Sequence, residues 1–333
     1  MVTGPRESAV LEVEPPVAAA GQVVVDVARV GICGTDVEFF TGEMAYLHQG
    51  HARYPMRLGH EWAGTVAAVG PGVDQAWLGR HVTGDTMLGC GHCRLCLGGR
   101  QHVCHDRFEI GIRGGWPGAL AEQVLVPANA LYALPDSVDA VAGALVEPGG
   151  NAWRAVQAAG AAPGARVLVY GPGTIGLLAG LLAAAEGLEV HLAGRSQGSL
   201  AFARSLGIGP VWAAAELPDL PYDAVLDCSH GAEIPAAALA RVQPGGRIVL
   251  IGLSGAPSTI DTRDLVLKDV TAVGILSASP GLADTIDRYA DGRVDPRPLV
   301  AGTIGLAEVG DALAGRPLPG VGAGPKIHVD PRR

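Results

Sequence analysis

The sequence predicts an α/β protein built from a small barrel-like β-domain and a doubly wound parallel sheet. Two changes of texture and one motif carry that reading. Up to about residue 140 the chain runs in short β-like stretches broken by glycine turns, such as Gln22–Val30 and Gly64–Gly70. Closely spaced strands with turn residues between them suit a small barrel. From about 141 to 279 the period changes. Strand candidates Arg166–Tyr170, Glu189–Ala193, Tyr222–Asp227, Arg247–Ile251 and Asp269–Ile275 alternate with helix-like stretches Ile175–Ala185, Leu200–Leu206 and Ala232–Val242. That alternation is the pattern of a parallel sheet covered by helices. The motif is a glycine fingerprint at 171–176, described below. Residues 280–333 carry two short amphipathic stretches, Leu282–Tyr289 and Leu306–Leu313, and a last strand near Lys326–Val329. They are read as returning to the first domain.

Composition narrows the function. The 333 residues are 48% hydrophobic and 17% charged, which excludes a largely disordered chain. A net charge of −9 lacks the basic footprint of a nucleic-acid binder, so a small-molecule ligand is expected. The N-terminus has no basic flank leading into an apolar run. The longest apolar stretch, Ile175–Ala185, is far shorter than the ~20 residues of a membrane span. These features are read as those of a soluble, cytoplasmic protein.

Four of the six cysteines fall within 15 residues, as Cys90-Gly-His-Cys93-Arg-Leu-Cys96 followed by Cys104. Four thiolates spaced C-x2-C-x2-C-x7-C suit a closed tetrahedral zinc site that holds structure rather than chemistry. An iron–sulfur cluster is the rival, and the seven-residue gap with no proline after Cys104 weakens it.

Gly171-Pro-Gly173-Thr174-Ile175-Gly176 directly follows the strand Arg166–Tyr170 and opens a helix. In a dinucleotide site the first glycine allows the turn, the second admits the pyrophosphate and the third lets helix pack on strand. The next strand ends at Gly194-Arg195-Ser196, where an NAD site would place a carboxylate for the ribose 2′-hydroxyl. A guanidinium pairs instead with a 2′-phosphate, so NADP is favoured over NAD.

Three further pieces stand at glycine- or proline-marked breaks: Gly31-Ile-Cys33-Gly-Thr35-Asp36, Gly59-His60-Glu61 and Glu147-Pro148. They are candidates for a second metal site, but their separations along the chain do not pair them. Taken together with the cysteine lobe and the glycine fingerprint, their order resembles the medium-chain zinc-dependent alcohol and polyol dehydrogenases over nearly the whole chain. The resemblance implies a GroES-like catalytic domain at 1–140, a Rossmann domain at 141–279 and a return to the catalytic domain at 280–333. It implies Cys33, His60 and Glu147 as zinc ligands, with Glu61 binding directly or exchanging with water. Asp36 would orient His60 through its other ring nitrogen, and Thr35 would take the alcohol proton. Two zinc ions per chain are implied, one catalytic and one structural.

The chain also departs from that family. Where many members carry a histidine five residues after the catalytic cysteine, Glu38 stands here, either relaying the proton or gripping a substrate hydroxyl. The run C-G-T-D-x-E resembles an archaeal-type glucose dehydrogenase subgroup, which implies a sugar or polyol substrate and draws attention to Glu122. His48, His51, Tyr46 and Tyr54 are placed toward the mouth of the site as candidate substrate contacts, and Trp116 is read as either a wall of the pocket or ordinary packing. Relatives usually begin with a longer first strand than Met1-Val-Thr-Gly-Pro, which implies a short edge strand or a late start. A homo-oligomer, dimer or tetramer, is expected through the outer strand Asp269–Ile275. The expected activity is hydride transfer between a secondary alcohol of a polyol, sugar or cyclitol and NADP or NAD. The alternatives are a simple-alcohol, NAD-dependent dehydrogenase and a non-catalytic, zinc-stabilised nucleotide sensor.

Overall fold

The computed structural model describes residues 1–333 as two units, Met1–Glu147 with Thr285–Arg333, and Pro148–Asp284. The divisions fall several residues later than expected from sequence. The first lies inside the helix Val146–Ala159, so Glu147-Pro148 is helical and not a break. Proline is tolerated there because the first turn of a helix has no intrahelical partner for its missing N–H.

The first unit is organised by the ten-residue strand Gln22–Gly31. It pairs antiparallel with Glu61–Val69 and with Gln123–Pro127, and the sheet continues through His81–Gly84 to Leu131–Ala133. Its other neighbour is the last strand of the chain, Lys326–Val329, which also pairs in parallel with Val300–Ile304. Register shifts at Val24/Val25 and Val27/Arg29 mark bulges. An extra residue resets the two-residue alternation, so Val27 and Val30, an odd number of residues apart, both reach the core. Trp62, Val66, Val82, Val124 and Val126 fill the same core from the partner strands. The N-terminus forms a short hairpin of Val2–Gly4 and Glu7–Ser8, and Val2 bridges to Met56.

The second unit is a six-stranded, wholly parallel sheet. Its order is Val211–Ala213, Glu189–Gly194, Arg166–Tyr170, Tyr222–Asp227, Val242–Leu250, Thr271–Gly274. Numbered by sequence this is 3-2-1-4-5-6, the doubly wound dinucleotide-binding order. Val167, Leu168 and Val169 are consecutive and all buried, as expected of a strand covered on both faces. The strand Val211–Ala213 was not anticipated from sequence; its three half-buried residues are too few to show a period. No helix of the protein is long and apolar enough to cross a membrane.

Candidate active site

Cys33, His60 and Glu61 come together in the first unit, with their donor atoms all within 4.8 Å of one another. Cys33 stands immediately before the helix Gly34–Thr41. Asp36, fully buried in the first turn, accepts the Cys33 N–H at 2.9 Å and that of Gly59 at 3.4 Å. One carboxylate therefore ties the cysteine-bearing turn to the residue before His60. Its nearer oxygen lies 3.6 Å from His60 Nδ1, beyond a hydrogen bond, and that nitrogen is buried without a partner. Asp36 thus holds the backbone on both sides and faces the ring nitrogen of His60 that the resemblance assigns to it, at ion-pair distance.

The electrostatics favour positive charge at this point. Burial works against a charged His60, but the Asp36 carboxylate and the Cys33 thiol outweigh it, so the imidazole pKa stands well above its ordinary value. An environment that draws a proton to imidazole also draws a metal ion, and one sulfur, one nitrogen and one carboxylate form a donor set that zinc accepts.

Sequence reasoning missed Lys326. Its Nζ donates to both Glu61 oxygens, at 2.8 and 2.6 Å, and to the Ile32 carbonyl at 2.9 Å. Both side chains are almost fully buried. Burial alone would favour neutral lysine, yet Glu61, with Cys33 and Asp36, raises its pKa. Gly31 makes room for this pair. It lies opposite Glu61 in the sheet, and a Cβ there would sit 2.2 Å from Glu61 Oε2. The last strand reads Lys326-Ile-His328-Val, and nothing local in it singles the lysine out.

The cysteine lobe forms as expected. All four sulfurs lie within 4.8 Å of one another, with Cys90–Cys96 at 3.9 Å and Cys93–Cys104 at 3.8 Å. Four sulfurs at zinc bond lengths of ~2.3 Å would be separated by about 3.8 Å along a tetrahedral edge, so the spacing fits the ion. The Cys96 backbone N–H helps lower the Cys93 thiol to about 7, toward the thiolate that a metal requires.

In the second unit the glycine fingerprint joins the central strand to the helix Thr174–Ala185. A Cβ on Gly176 would lie 2.0 Å from the Gly171 carbonyl, whereas one on Gly173 would meet nothing within 4 Å. Gly176 thus serves the fold, and Gly173 leaves open space at the helix N-terminus. Gly194 ends the second strand, and Ser196 caps the helix Gln197–Ser205. Between them Arg195 is largely exposed, 3.3 Å from Glu233.

Comparison with known proteins accords with this geometry. Residues 19–136 match the alcohol dehydrogenase GroES-like domain, and residues 174–291 match the zinc-binding dehydrogenase domain. A 2-dehydro-3-deoxy-L-galactonate 5-dehydrogenase from Pseudoalteromonas atlantica is 30% identical over 89% of this chain and 88% of its own. The chain belongs to the medium-chain zinc-dependent alcohol and polyol dehydrogenases. The fold agrees with that of an Escherichia coli CFT073 alcohol dehydrogenase (rspB) solved with NADH, at a TM-score of 0.89, 26% identity and coverage of 99% and 97%. A zinc-binding dehydrogenase from Sinorhizobium meliloti solved with NADP gives 0.84, 28%, and 95% and 94%. The protein is therefore an NAD(P)-dependent oxidoreductase.

The other candidate residues of this dehydrogenase divide by position. Thr35 and Glu38, both half-buried, share the helix that Cys33 precedes. Glu147 is buried in the first turn of Val146–Ala159, outside the cluster of three. Glu122 lines a cavity of about 1270 Å³ beneath the N-terminal segment, together with Arg57 and Leu306. Trp116 donates its indole N–H to the Leu125 carbonyl, Tyr54 its hydroxyl to the Phe39 carbonyl, and His48 meets the Gly42 carbonyl. Those three rings serve the backbone.

Proposed function

We propose that this dehydrogenase oxidises a secondary alcohol of a polyol, sugar or cyclitol, or reduces the matching ketone, with NADP preferred and two zinc ions per chain. The carrying observation is the convergence of Cys33, His60 and Glu61 on one point, backed by Lys326 and Asp36. When bound, zinc supplies a Lewis acid that makes a hydroxyl more acidic, and the nicotinamide supplies the hydride acceptor. Cys33 and His60 would hold the catalytic ion, with Glu61 or Glu147 as the carboxylate ligand. Lys326 restrains Glu61 with two hydrogen bonds, and Glu61 is the carboxylate that stands in the cluster with Cys33 and His60. Thr35 would take the alcohol proton and Glu38 would pass it outward. Cys90, Cys93, Cys96 and Cys104 would hold the structural ion. Gly171, Gly173, Thr174, Ile175 and Gly176 would cradle the pyrophosphate, and Gly194, Arg195 and Ser196 the adenosine ribose. The relative that acts on a sugar acid supports a sugar-derived substrate.

Glu233, 3.3 Å from Arg195, supports a second reading in which the guanidinium is neutralised and NAD is used. Cofactor reduction measured with NADP and NAD in parallel, on pools of polyols, aldoses, cyclitols and simple secondary alcohols, separates the two. Turnover of a polyol or sugar pool with NADP supports the first reading, whereas turnover of simple alcohols with NAD supports the alternative. No turnover, with only one zinc per chain, would favour a non-catalytic nucleotide-binding role.

We further propose a homodimer made by extending the parallel sheet. Its edge strand Thr271–Gly274 is largely exposed, and Val266 and Leu267, just before it, are 78% and 82% exposed. An open edge beside uncovered apolar side chains is a surface that pairing would satisfy.

A further inference from the structure

A buried polar cluster lies in the first unit, on the segment that packs against Gly59, and its charges do not balance. Glu109, 3% exposed, accepts from Arg107 Nε at 2.7 Å and from the Tyr46 hydroxyl at 3.2 Å. Arg107 also donates to Tyr46 Oη at 3.1 Å and to the Cys104 carbonyl at 3.1 Å. Glu109 and Arg107 thus neutralise each other. Arg113 is left over. Its side chain is only 14% exposed, its nearest nitrogen stands 4.0 Å from the same Glu109 oxygen, and its guanidinium carbon lies 5.6 Å from the centre of the Tyr46 ring. It donates no side-chain hydrogen bond within the protein, although a guanidinium carries five N–H donors. None of its nitrogens is among the buried polar atoms without a partner, so each keeps some contact with solvent. A cation mostly screened from water, with no protein acceptor for its N–H groups, keeps those donors available to an anionic ligand.

Its position connects it to the reacting centre. Ile110 donates its N–H to the Thr86 carbonyl, and Thr86 Oγ1 donates to the carbonyl of His60. Gly111 packs so closely on Gly59 that a Cβ would sit 2.8 Å from the Gly59 oxygen. Arg113 follows two residues later, at most ~7 Å of chain. The next residue, Gly114, donates its N–H to His51, in the segment that joins the Cys33 helix to His60.

We infer that Arg113 reads an anionic group of the substrate, a carboxylate or a phosphate, held by the planar fork while the secondary alcohol lies at the Cys33–His60–Glu61 centre. This rests on the dehydrogenase reading above and narrows it to acidic sugars. Tyr46 and Glu109 hold the guanidinium flat and in place, and Arg107 keeps Glu109 from neutralising it. A planar fork suits bidentate pairing with either anion.

The test compares matched pairs on the zinc-loaded enzyme: gluconate with glucitol, galactonate with galactitol, and glucitol 6-phosphate as the phosphate arm. The expected result is a higher kcat/KM for the acid of each pair, carried by KM. Arg113→Gln should lower the acid-over-alditol ratio by about tenfold or more, a loss of ~1.4 kcal/mol or more. Arg113→Lys should restore part of it, since charge returns without the fork. The aldonate and phosphate arms identify which anion is read. An equal kcat/KM for acid and alditol in the parent enzyme, or a ratio unmoved by Arg113→Gln, would overturn the proposal. Failure to turn over any compound would be a failure of the dehydrogenase reading. In that case calorimetric titration of gluconate and inorganic phosphate into the zinc- and NADP-loaded protein decides separately. Binding that Arg113→Gln abolishes supports the anion site; equal binding or none refutes it.

Discussion

Lys326 and Glu61 make a salt bridge that is sealed from water at both ends. Removing one partner of such a pair leaves an uncompensated buried charge, which costs about 3–5 kcal/mol. Lys326→Met should therefore lower unfolding stability by roughly that amount, and adding Glu61→Gln should recover a substantial part. Chemical denaturation of the two single variants and the double variant measures the coupling. His60→Ala tests a different property of the same site. It should remove activity and reduce metal from two ions to one per chain by elemental analysis, because the cysteine lobe is a separate cluster. Arg195→Asp should move the NADP-to-NAD ratio of kcat/KM toward NAD by about tenfold or more, since a carboxylate repels a 2′-phosphate. An unchanged ratio would mean that Arg195 is only a solvated charge paired to Glu233.

Between two glycines of one loop the structure separates folding from binding. Gly176→Ala forces a methyl into the Gly171 carbonyl and should lower the melting temperature by several degrees, as a loss of 1–3 kcal/mol implies. Gly173→Ala meets nothing in the protein. It should leave the melting temperature near that of the parent and weaken dinucleotide binding, read by fluorescence titration. The strands Arg166–Tyr170 and Tyr222–Asp227 were legible to the residue, because each has an apolar centre and is bounded by turn signals, and the last strand was placed near Lys326–Val329. The segments proposed to hold the catalytic metal were less so. Cys33 stands at the expected break, between the strand ending at Gly31 and the helix beginning at Gly34, whereas Glu147, also placed at a break, lies within a helix. Its proline neighbour signals a turn, but the freedom of a first helical turn allows Glu147-Pro148 where the chain turns helical. Lys326 escaped because a pair separated by most of the chain leaves no local pattern. The Arg113 surplus was equally hidden, since charge balance in a cluster depends on which side chains meet.

At the scale of the whole molecule, the edge strand Thr271–Gly274 is the place to test assembly. Val273→Pro deletes a backbone donor and a ladder position there, and Leu267→Asp puts a charge on the apolar surface beside it. Either change should convert a dimer to monomers in analytical ultracentrifugation while leaving cofactor binding to the glycine loop in place. A parent protein that sediments as a monomer would remove the sheet-extension model of assembly.

The route of the chain has a consequence for how the protein is made. The second unit is one continuous stretch, so it has all its strands before the segment from Thr285 onward is synthesised. The first unit is not. Its strand Gln22–Gly31 waits for Lys326–Val329, and Glu61 waits for the lysine on that strand, through translation of the whole intervening unit. At ribosomal speeds of ~5–20 residues per second the delay is many seconds, during which a barrel edge and a buried carboxylate stand open. Nascent chains arrested before residue 326 are expected to bind dinucleotide while the Glu61 carboxylate still lacks its partner.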